Sequence, residues 1–360
     1  MKGLVLLLGL AAVAALAVGG GDALQQPVVP AVFVLGDSTL DVGNNNHLPG
    51  EGVPRANTPF YGVDFPGGPK ATGQFSNGYN IADFIASRVR EKPFGLSGAQ
   101  ITELPHPQRS HQRRELASAG AGILDSTNAG DNIPLSKQVR YFASTKAEME
   151  AAWGTHRVSA HLANSFLLGI GSNDMFQTKP KSTAEVAALY ATLVSNYSTA
   201  ITDLYGLGAR KFGIINVGPV GCVPRVRVLN ATGACNDALN LYAVGLAAAV
   251  KSALAGLAPK LPGFAYSLAD SFAASQASFT DPQSVGFVSS DSACCGSGRL
   301  GAESLCMKNV TLCPNRDTYA FWDSVHPTQR AAELVAQGVF DGPTQLTTPI
   351  NFKQLAHKRY

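Results

Sequence analysis

Four short apolar runs constrain the fold of this chain more than any other feature of its sequence. They lie at residues 31–35, 165–170, 211–217 and 264–268, and each ends close to a glycine, asparagine or aspartate. Runs of this kind are typical of strands buried on both faces of a parallel sheet. Segments with apolar residues at helical spacing alternate with them, at 81–90, 184–205, 236–257 and 327–339. The alternation predicts an α/β protein with a doubly wound parallel sheet that is covered by helices on both faces.

The first 22 residues have the pattern of a secretory signal peptide. Lys2 precedes an apolar stretch at 4–18 and three glycines at 19–21. This stretch is too short for a membrane anchor and lacks a charged stop-transfer flank. No later segment approaches the ~18 uninterrupted apolar residues of a spanning helix. We therefore expect cleavage near residues 20–23 and a secreted, extracellular protein with no stable membrane anchor.

Residues 23–360 are expected to form a single domain. Many α/β folds of this size build one core, and the chain has no internal repeat and no long Pro/Gly/Ser-rich linker. The formal net charge is only +3, which argues against nucleic acid as a partner. A neutral or weakly charged substrate fits better. The oligomeric state does not follow from the sequence.

The cysteines fit an oxidising compartment. Six disulfide candidates lie late in the chain, at Cys222, Cys235, Cys294, Cys295, Cys306 and Cys313. Up to three bridges in ~15 connectivities are open to them, and we prefer only the local bridge between Cys222 and Cys235. A zinc site is disfavoured, because no Cys-x-x-Cys pair is present and no histidine lies nearby.

Three sequons, at Asn196, Asn230 and Asn309, are candidate glycosylation sites. Sequons arise often by chance, so they support the secretory route only weakly.

Ser38 stands directly after the first apolar run, in a glycine turn that presents its hydroxyl. Asn173 and Asp174 follow the second run, after Gly171 and Ser172. Sites in doubly wound sheets gather beyond the carboxyl ends of the strands. Both segments are therefore expected to open onto one crevice.

Asp323 and His326 supply a carboxylate and an imidazole three residues apart. A serine becomes a strong nucleophile when an imidazole removes its proton, and a carboxylate must hold that imidazole in the right tautomer. One turn can bring an i,i+3 pair to the same face, and Pro327 is expected to open the last helix. Ser38, Asp323 and His326 are thus the candidate catalytic residues of a serine hydrolase. The alternative is a helix-capping Ser38 and a surface turn at 323–326.

Further motifs accompany these residues in a fixed order. They are Gly36-Asp37-Ser38, DVGNNN at 41–46, GQFSNG at 73–78, ASAGAG at 117–122, IGSND at 170–174, GPVGCVP at 218–224, CCG at 294–296 and FWDSVHP at 321–327. In these motifs the chain resembles the plant-type secreted GDSL esterase/lipase family of the SGNH hydrolase superfamily. The resemblance runs almost from end to end of the mature chain.

The resemblance implies a three-layer α/β/α sandwich of the flavodoxin-like SGNH type and a carboxylic ester hydrolase, a serine esterase or lipase. Ser38 would attack the ester carbonyl, His326 would act as base and then as acid, and Asp323 would orient His326. The oxyanion hole would consist of the N–H groups of Ser38 and Gly120 and the side-chain amide of Asn173. No metal and no cofactor is needed. The substrate would be a small-molecule, lipid or polysaccharide ester, in the cell wall or apoplast if the source is a plant.

Two departures from the family pattern stand out. Thr39 occupies a position that is usually leucine, and we expect little effect on the mechanism. Residues 93–115 are basic and polar where the family has an apolar approach to Gly120, and Glu115 replaces an asparagine. We interpret this segment as a disordered insertion or as an out-of-frame stretch of coding sequence. A genuine insertion would distort the strand ahead of Gly120 and with it the oxyanion hole.

The other histidines are interpreted as structural or surface residues. His47, His156 and His161 have no acidic or cysteine partner at ligand spacing, and His106 and His111 fit a solvated loop better than a metal site. The asparagine run at 44–46 either shapes the rim of the crevice or ends the loop after Asp41.

Two other functions stay open at this point. An acyltransferase uses the same acyl-serine intermediate when an alcohol replaces water. A homologue that kept the fold but lost activity through the abnormal segment would be a secreted carbohydrate- or protein-binding protein. The acyl chain length and the alcohol half of the ester do not follow from the sequence.

Overall fold

The computed structural model describes residues 29–90, 116–169, 173–177 and 182–360. The expected signal peptide lies outside these residues. So does the atypical segment 93–115, with His106, His111 and Glu115, and so do residues 170–172 of the IGSND motif.

Strands and helices alternate along the described chain as expected. The strands are β1 Val32–Val34, β2 Phe166–Gly169, β3 Lys211–Ile215, β4 Ala265–Ala269, β5 Ser289–Ala293, β6 Tyr319–Phe321 and β7 Thr347–Thr348. The helices are α1 Ile81–Arg90, α2 Leu135–Trp153, α3 Thr155–Asn164, α4 Asn173–Gln177, α5 Thr183–Gly206, α6 Pro224–Arg227, α7 Asp237–Leu257, α8 Ser271–Thr280, α9 Gln329–Asp341 and α10 Phe352–His357. Each of the four predicted strands and four predicted helices corresponds to one of these elements.

The main sheet has the order β1-β2-β3-β4-β7. Its first four strands are parallel, and β7 pairs antiparallel with the end of β4 through two residues. The α/β class is confirmed and the four predicted strands are parallel, while β7 adds an antiparallel edge strand that the sequence did not predict. β7 follows α9, and α9 follows β6 of a separate two-stranded sheet. Because β7 is not reached by a crossover from the main sheet, nothing forces it to run parallel.

Alternate residues of β1 face two separate cores. Phe33 packs in a cluster with residues of α2, α3, α5 and α7. Val32 and Val34 pack in a second cluster with residues of α1, α9 and α10. The sheet is therefore the middle of three layers, and both of its faces are covered.

The helix α9 begins two residues later than expected. Thr328 is its N-cap, and its side-chain oxygen accepts a hydrogen bond from Ala331 N–H. Pro327 thus precedes the cap instead of opening the helix, because a threonine hydroxyl satisfies the free N–H groups of a first turn and a proline cannot.

All six cysteines are paired. The bridges are Cys222–Cys235, Cys294–Cys313 and Cys295–Cys306, with Cα–Cα distances of 4.4, 4.8 and 5.0 Å. The preferred local bridge is confirmed, and the three disulfides fit an oxidising compartment.

The helix α7 is largely apolar, although the sequence has no uninterrupted apolar run in this region that is long enough to span a membrane. With the residues that follow it, over Asp237–Lys260, its length and a mean hydropathy of 1.6 would allow it to span a membrane. Asn240 and Lys251 interrupt the run. One face of the helix, with Ala243, Leu246 and Val250, is buried in the core beside α5.

The asparagines of the three sequons are all exposed. Asn196 lies in α5, where its amide donates to the Thr192 carbonyl at 2.9 Å. Exposure makes the sites accessible, and glycosylation stays a prediction.

Asp83 in the first turn of α1 makes the stability of the fold depend on pH. Burial raises the pKa of its carboxyl to about 6, although hydrogen bonds from Asn80 N–H and the Gln74 amide by themselves lower it. A raised pKa means that the folded state favours the neutral acid, so stability is lost as pH rises through 6.

Asp83→Asn, which stays neutral, should therefore remove part of this pH dependence. Between pH 5 and pH 8 the free energy of unfolding of the wild type should fall by about 1 kcal/mol more than that of the variant. Urea unfolding at both pH values measures the difference. The exposed Asp125→Asn is the matched control and should follow the wild type; an Asp83→Asn curve with the same pH dependence as the wild type would contradict the assignment.

Candidate active site

Ser38 lies just beyond the end of β1, in a turn that α2 holds in place. Gly36 adopts φ 148°, which L side chains rarely adopt. The Gln138 side chain accepts from Gly36 N–H at 2.8 Å and donates to the Gly36 carbonyl at 2.8 Å. The Thr39 N–H and hydroxyl both donate to Asp37, at 3.0 and 2.7 Å. The turn is therefore fixed on both sides of Ser38.

Ser38, His326 and Asp323 form one hydrogen-bonded triad. Ser38 Oγ lies 2.7 Å from His326 Nε2, and His326 Nδ1 lies 2.8 Å from Asp323 Oδ2. Asp323 and His326 are both buried, and the imidazole packs against the Phe75 ring with centroids 4.7 Å apart. With Nδ1 held by the carboxylate, Nε2 is left to face the serine hydroxyl.

Asp323 is held as a carboxylate. Burial alone would raise its pKa, but the charge of His326 and the hydrogen bonds from its ring and backbone N–H and from Val325 N–H together lower the pKa below the usual range. Tyr61 Oη also donates to Asp323 Oδ2, at 2.8 Å. Burial, and then the negative charge of Asp323, raise the pKa of Tyr61 well above its ordinary value, so the phenol remains a donor.

The loop from Asp323 to His326 is attached to the disulfide segment. Cys294 N–H donates to the Phe321 carbonyl at 3.0 Å, and Cys295 N–H donates to the Trp322 carbonyl at 2.7 Å. Both cysteines are bridged, so two disulfides fix the backbone directly ahead of Asp323.

The segment that carries Gly120 runs alongside the end of β1. Leu116 N–H donates to the Val34 carbonyl at 2.9 Å, and Ser118 N–H donates to the Gly36 carbonyl at 3.0 Å. Residues 116–119 are buried. The described part of this approach is thus packed in place, although it is not assigned as a strand.

Asp41 and the asparagines after it join that segment to the Ser38 turn. Asp41 accepts from Ala119 N–H at 2.9 Å and from Gly43 and Asn44 N–H at 2.7 and 2.8 Å. Burial raises the pKa of Asp41 to about 6 against these hydrogen bonds. The amides of Asn44 and Asn45 donate to the carbonyls of residues 117 and 119. The asparagine run therefore connects two sides of the crevice and does more than end a loop.

The Asn173 side chain is hydrogen-bonded to Ala121, the residue after Gly120. Its side-chain amide donates to the Ala121 carbonyl at 2.8 Å, which leaves its second amide hydrogen for another acceptor. The neighbouring Asp174 accepts from Ile123 and Leu124 N–H and from the Thr127 hydroxyl. The start of α4 is thus tied to the loop after Gly120.

Two backbone donors at this place have no protein acceptor in the described part of the chain. They are the N–H groups of Ser38 and Gly120. Gly120 has φ +83°, the left-handed region that favours glycine. The predicted Ser38, Asp323 and His326 are therefore joined directly, and Gly120 and Asn173 flank the Ser38 turn through a chain of hydrogen bonds.

Comparison with known proteins agrees with this architecture. The model of the GDSL-like Lipase/Acylhydrolase family matches residues 32–339. A GDSL esterase/lipase of Arabidopsis thaliana is 35% identical, over 92% of this chain and 92% of the relative. Two others from the same plant are 33% identical, over 94% and 90%, and 32% identical, over 91% and 86%. The chain belongs to the GDSL lipase/acylhydrolase family.

As a GDSL family member, the protein is a carboxylic ester hydrolase. The sequence analysis did not identify Tyr61 or Gln138 as parts of this site. Their contacts span 262 and 102 residues of chain, so no local sequence pattern indicates them. Tyr61 precedes the GQFSNG motif, but no feature of the sequence indicated that it contacts Asp323.

We expect Tyr61→Phe to slow ester hydrolysis about tenfold, because Tyr61 fixes the carboxylate that orients His326 and a hydrogen bond to a charged group contributes about 1.5–3 kcal/mol. The loss of this donor also increases the attraction between Asp323 and protonated His326 before the reaction begins. The acid limb of the pH profile of kcat should therefore move to higher pH. The pH profile on a soluble ester measures both effects.

The matched control is Tyr197→Phe, which removes another buried tyrosine hydroxyl on α5. It should change neither kcat nor the acid limb. A Tyr61→Phe profile that is lower but not displaced would leave Tyr61 with only a packing role.

Proposed function

We propose that the protein is a secreted serine esterase that hydrolyses small-molecule, lipid or polysaccharide esters through an acyl-serine intermediate. The observation that carries this proposal is the 2.7 Å contact between Ser38 Oγ and His326 Nε2, with Asp323 on the opposite ring nitrogen. A serine–imidazole–carboxylate chain of this geometry activates the hydroxyl as a nucleophile.

In the first half of the reaction, Ser38 Oγ attacks the ester carbonyl carbon while His326 Nε2 takes the hydroxyl proton. Asp323 stabilises the imidazolium that forms. When the tetrahedral intermediate collapses, His326 gives its proton to the leaving alcohol and the acyl group stays on Ser38. In the second half, His326 deprotonates a water that attacks the acyl carbon. The acid is released and the Ser38 hydroxyl is restored.

The oxyanion is assigned to the N–H groups of Ser38 and Gly120 and to the Asn173 amide. The support is that both N–H groups lack a protein acceptor among the described residues and that the amide has a hydrogen to spare. Donors fixed in advance stabilise the developing charge without reorganising. Asp41 and Asp174 supply that fixation through their bonds to residues 119 and 123.

Secretion is supported by three independent features. They are the signal-like pattern of the first 22 residues, the three disulfides and the exposure of all three sequons. The single-domain organisation of 23–360 and the cell-wall or apoplast location belong to the same proposal.

Ser38→Ala should abolish both hydrolysis of short-chain nitrophenyl esters and labelling by a fluorophosphonate probe, because both need the Ser38 oxygen. The exposed Ser144→Ala on α2 is the control and should retain both. Activity and labelling are measured on the same preparations. A folded wild type that is neither active nor labelled would instead favour the binding-protein interpretation.

The same assay distinguishes water from an alcohol as the acyl acceptor. With excess alcohol present, free acid should remain the main product. If a new ester forms faster than free acid, the proposed activity is acyl transfer and not hydrolysis.

Asn173→Ala should lower kcat by about 100- to 1,000-fold with little change in KM, since one oxyanion donor typically contributes that much to the transition state alone. Steady-state kinetics on a nitrophenyl ester give the two constants. Asn164→Ala, at a half-buried position at the end of α3, is the matched control and should behave as wild type. An Asn173→Ala enzyme with unchanged kcat would remove Asn173 from the oxyanion hole.

A further inference from the structure

A cavity of about 340 Å³ begins beside the triad and extends between α8 and α9. Thr39 and Val325, the chain neighbours of Ser38 and His326, both line it, and so does Pro327. Phe176 of α4, three residues after Asn173, lines it as well. The cavity therefore lies against the chain segments that carry Ser38, His326 and Asn173.

Most of the wall is apolar. Ile81, Ile215, Val220, Val223 and Phe321 contribute to it. No charged residue is among the described residues that line it. A cavity of this size with an apolar wall is typical of a small-molecule site.

The helix α9 is apolar on two faces, of which one is buried in the core and the other is only partly covered by it. Ala332, Ala336 and Val339 are buried against α1 and its neighbours. Leu334 and Val335 line the cavity and are only half-buried. This second face is available to an apolar ligand.

The helix α8 keeps the cavity open through small side chains. Ser271, Ala274, Ser275 and Ser278 lie at helical spacing on the face that lines it. Larger residues here would fill the space. The Ser271 hydroxyl is buried and has no hydrogen-bond partner among the described residues, so it is a polar group on this wall that can bind a ligand oxygen.

A second cavity, of about 740 Å³, lies on the other side of α8. Lys251 and Asp270 line it, and none of the described residues adjacent to Ser38 or His326 does. Its charged wall and its separation from the triad make it a poor place for an apolar part of the substrate.

We propose that the cavity between α8 and α9 holds the acyl chain of the ester and that the enzyme prefers medium acyl chains to acetyl groups. The inference rests on the proposed function, because Ser38 must be the acylated residue. A water molecule occupies about 30 Å³ of liquid and a methylene group is of similar size, so a cavity of about 340 Å³ accommodates a chain of roughly ten carbons. Chains of about six to ten carbons therefore fit, and longer ones must extend into solvent.

The preference follows from burial of the chain. Each methylene that moves from water into an apolar wall multiplies kcat/KM by about four when it stays bound in the transition state. An octanoyl ester should therefore react at least about tenfold better than an acetyl ester, even if only part of the chain is well packed.

Ala274→Phe tests this by filling the middle of the cavity. The ratio of kcat/KM for nitrophenyl octanoate to that for nitrophenyl acetate should fall at least about tenfold. Ala277→Phe makes the same change three residues later, at an exposed position of α8, and should keep the wild-type ratio. Ala331→Phe on α9 fills the cavity from the opposite wall if Ala274→Phe does not fold. Fluorophosphonate titration counts active sites in each preparation.

A binding assay separates this proposal from the proposed function. Octanoate should displace a fluorescent fatty-acid probe from Ser38→Ala, and Ala274→Phe should weaken that displacement at least about tenfold. A folded wild type that hydrolyses no ester but shows this binding would overturn the catalytic assignment and leave the cavity as the chain site. An equal rate on acetate and octanoate, or an Ala274→Phe enzyme that titrates fully and keeps the octanoate preference, would overturn the chain site itself.

Discussion

The contact between Ser38 and His326 is the constraint on which the rest of the structure depends. It joins side chains 288 residues apart, so it exists only if the whole sheet brings the start and the end of the chain to one edge. Ser38 follows the first strand, and Asp323 and His326 follow the small β5–β6 sheet, to which two disulfides are attached. Errors of even 1 Å in such an arrangement cost a large part of the rate, which explains why both segments are fixed from several sides.

Buried carboxylates do much of that fixing. Asp41, Asp174 and Asp323 each accept several hydrogen bonds from N–H or O–H groups of other segments. A buried acid without such donors would be strongly destabilising. These three aspartates therefore hold loops that have little apolar surface of their own. Asp323 differs from Asp41 in having an imidazole beside it, and the pKa values of the two carboxyls move in opposite directions.

The wall around the site consists of two kinds of surface, one polar and one apolar. Polar groups that are held by these carboxylates flank the Ser38 turn. Apolar faces of α9 and β3 and the small face of α8 lead away from it. An ester has a polar reacting centre and an apolar chain, and the crevice has the same division. The segment 93–115 was expected to disturb this region, yet the described residues after it are buried and hydrogen-bonded to β1.

The sequence by itself determined the layers of the fold, because strand and helix periodicities are local and β1 alternates between two cores. It also singled out Ser38, Asp323 and His326, since the chemistry of a serine hydrolase needs those residue types and the family motifs carry them. It did not determine the antiparallel β7, the disulfide partners beyond Cys222–Cys235, or the part played by Tyr61. These features depend on which distant segments of the chain meet, and only the tertiary structure decided this. A contact between residues that are far apart in the chain leaves no local periodicity in the sequence.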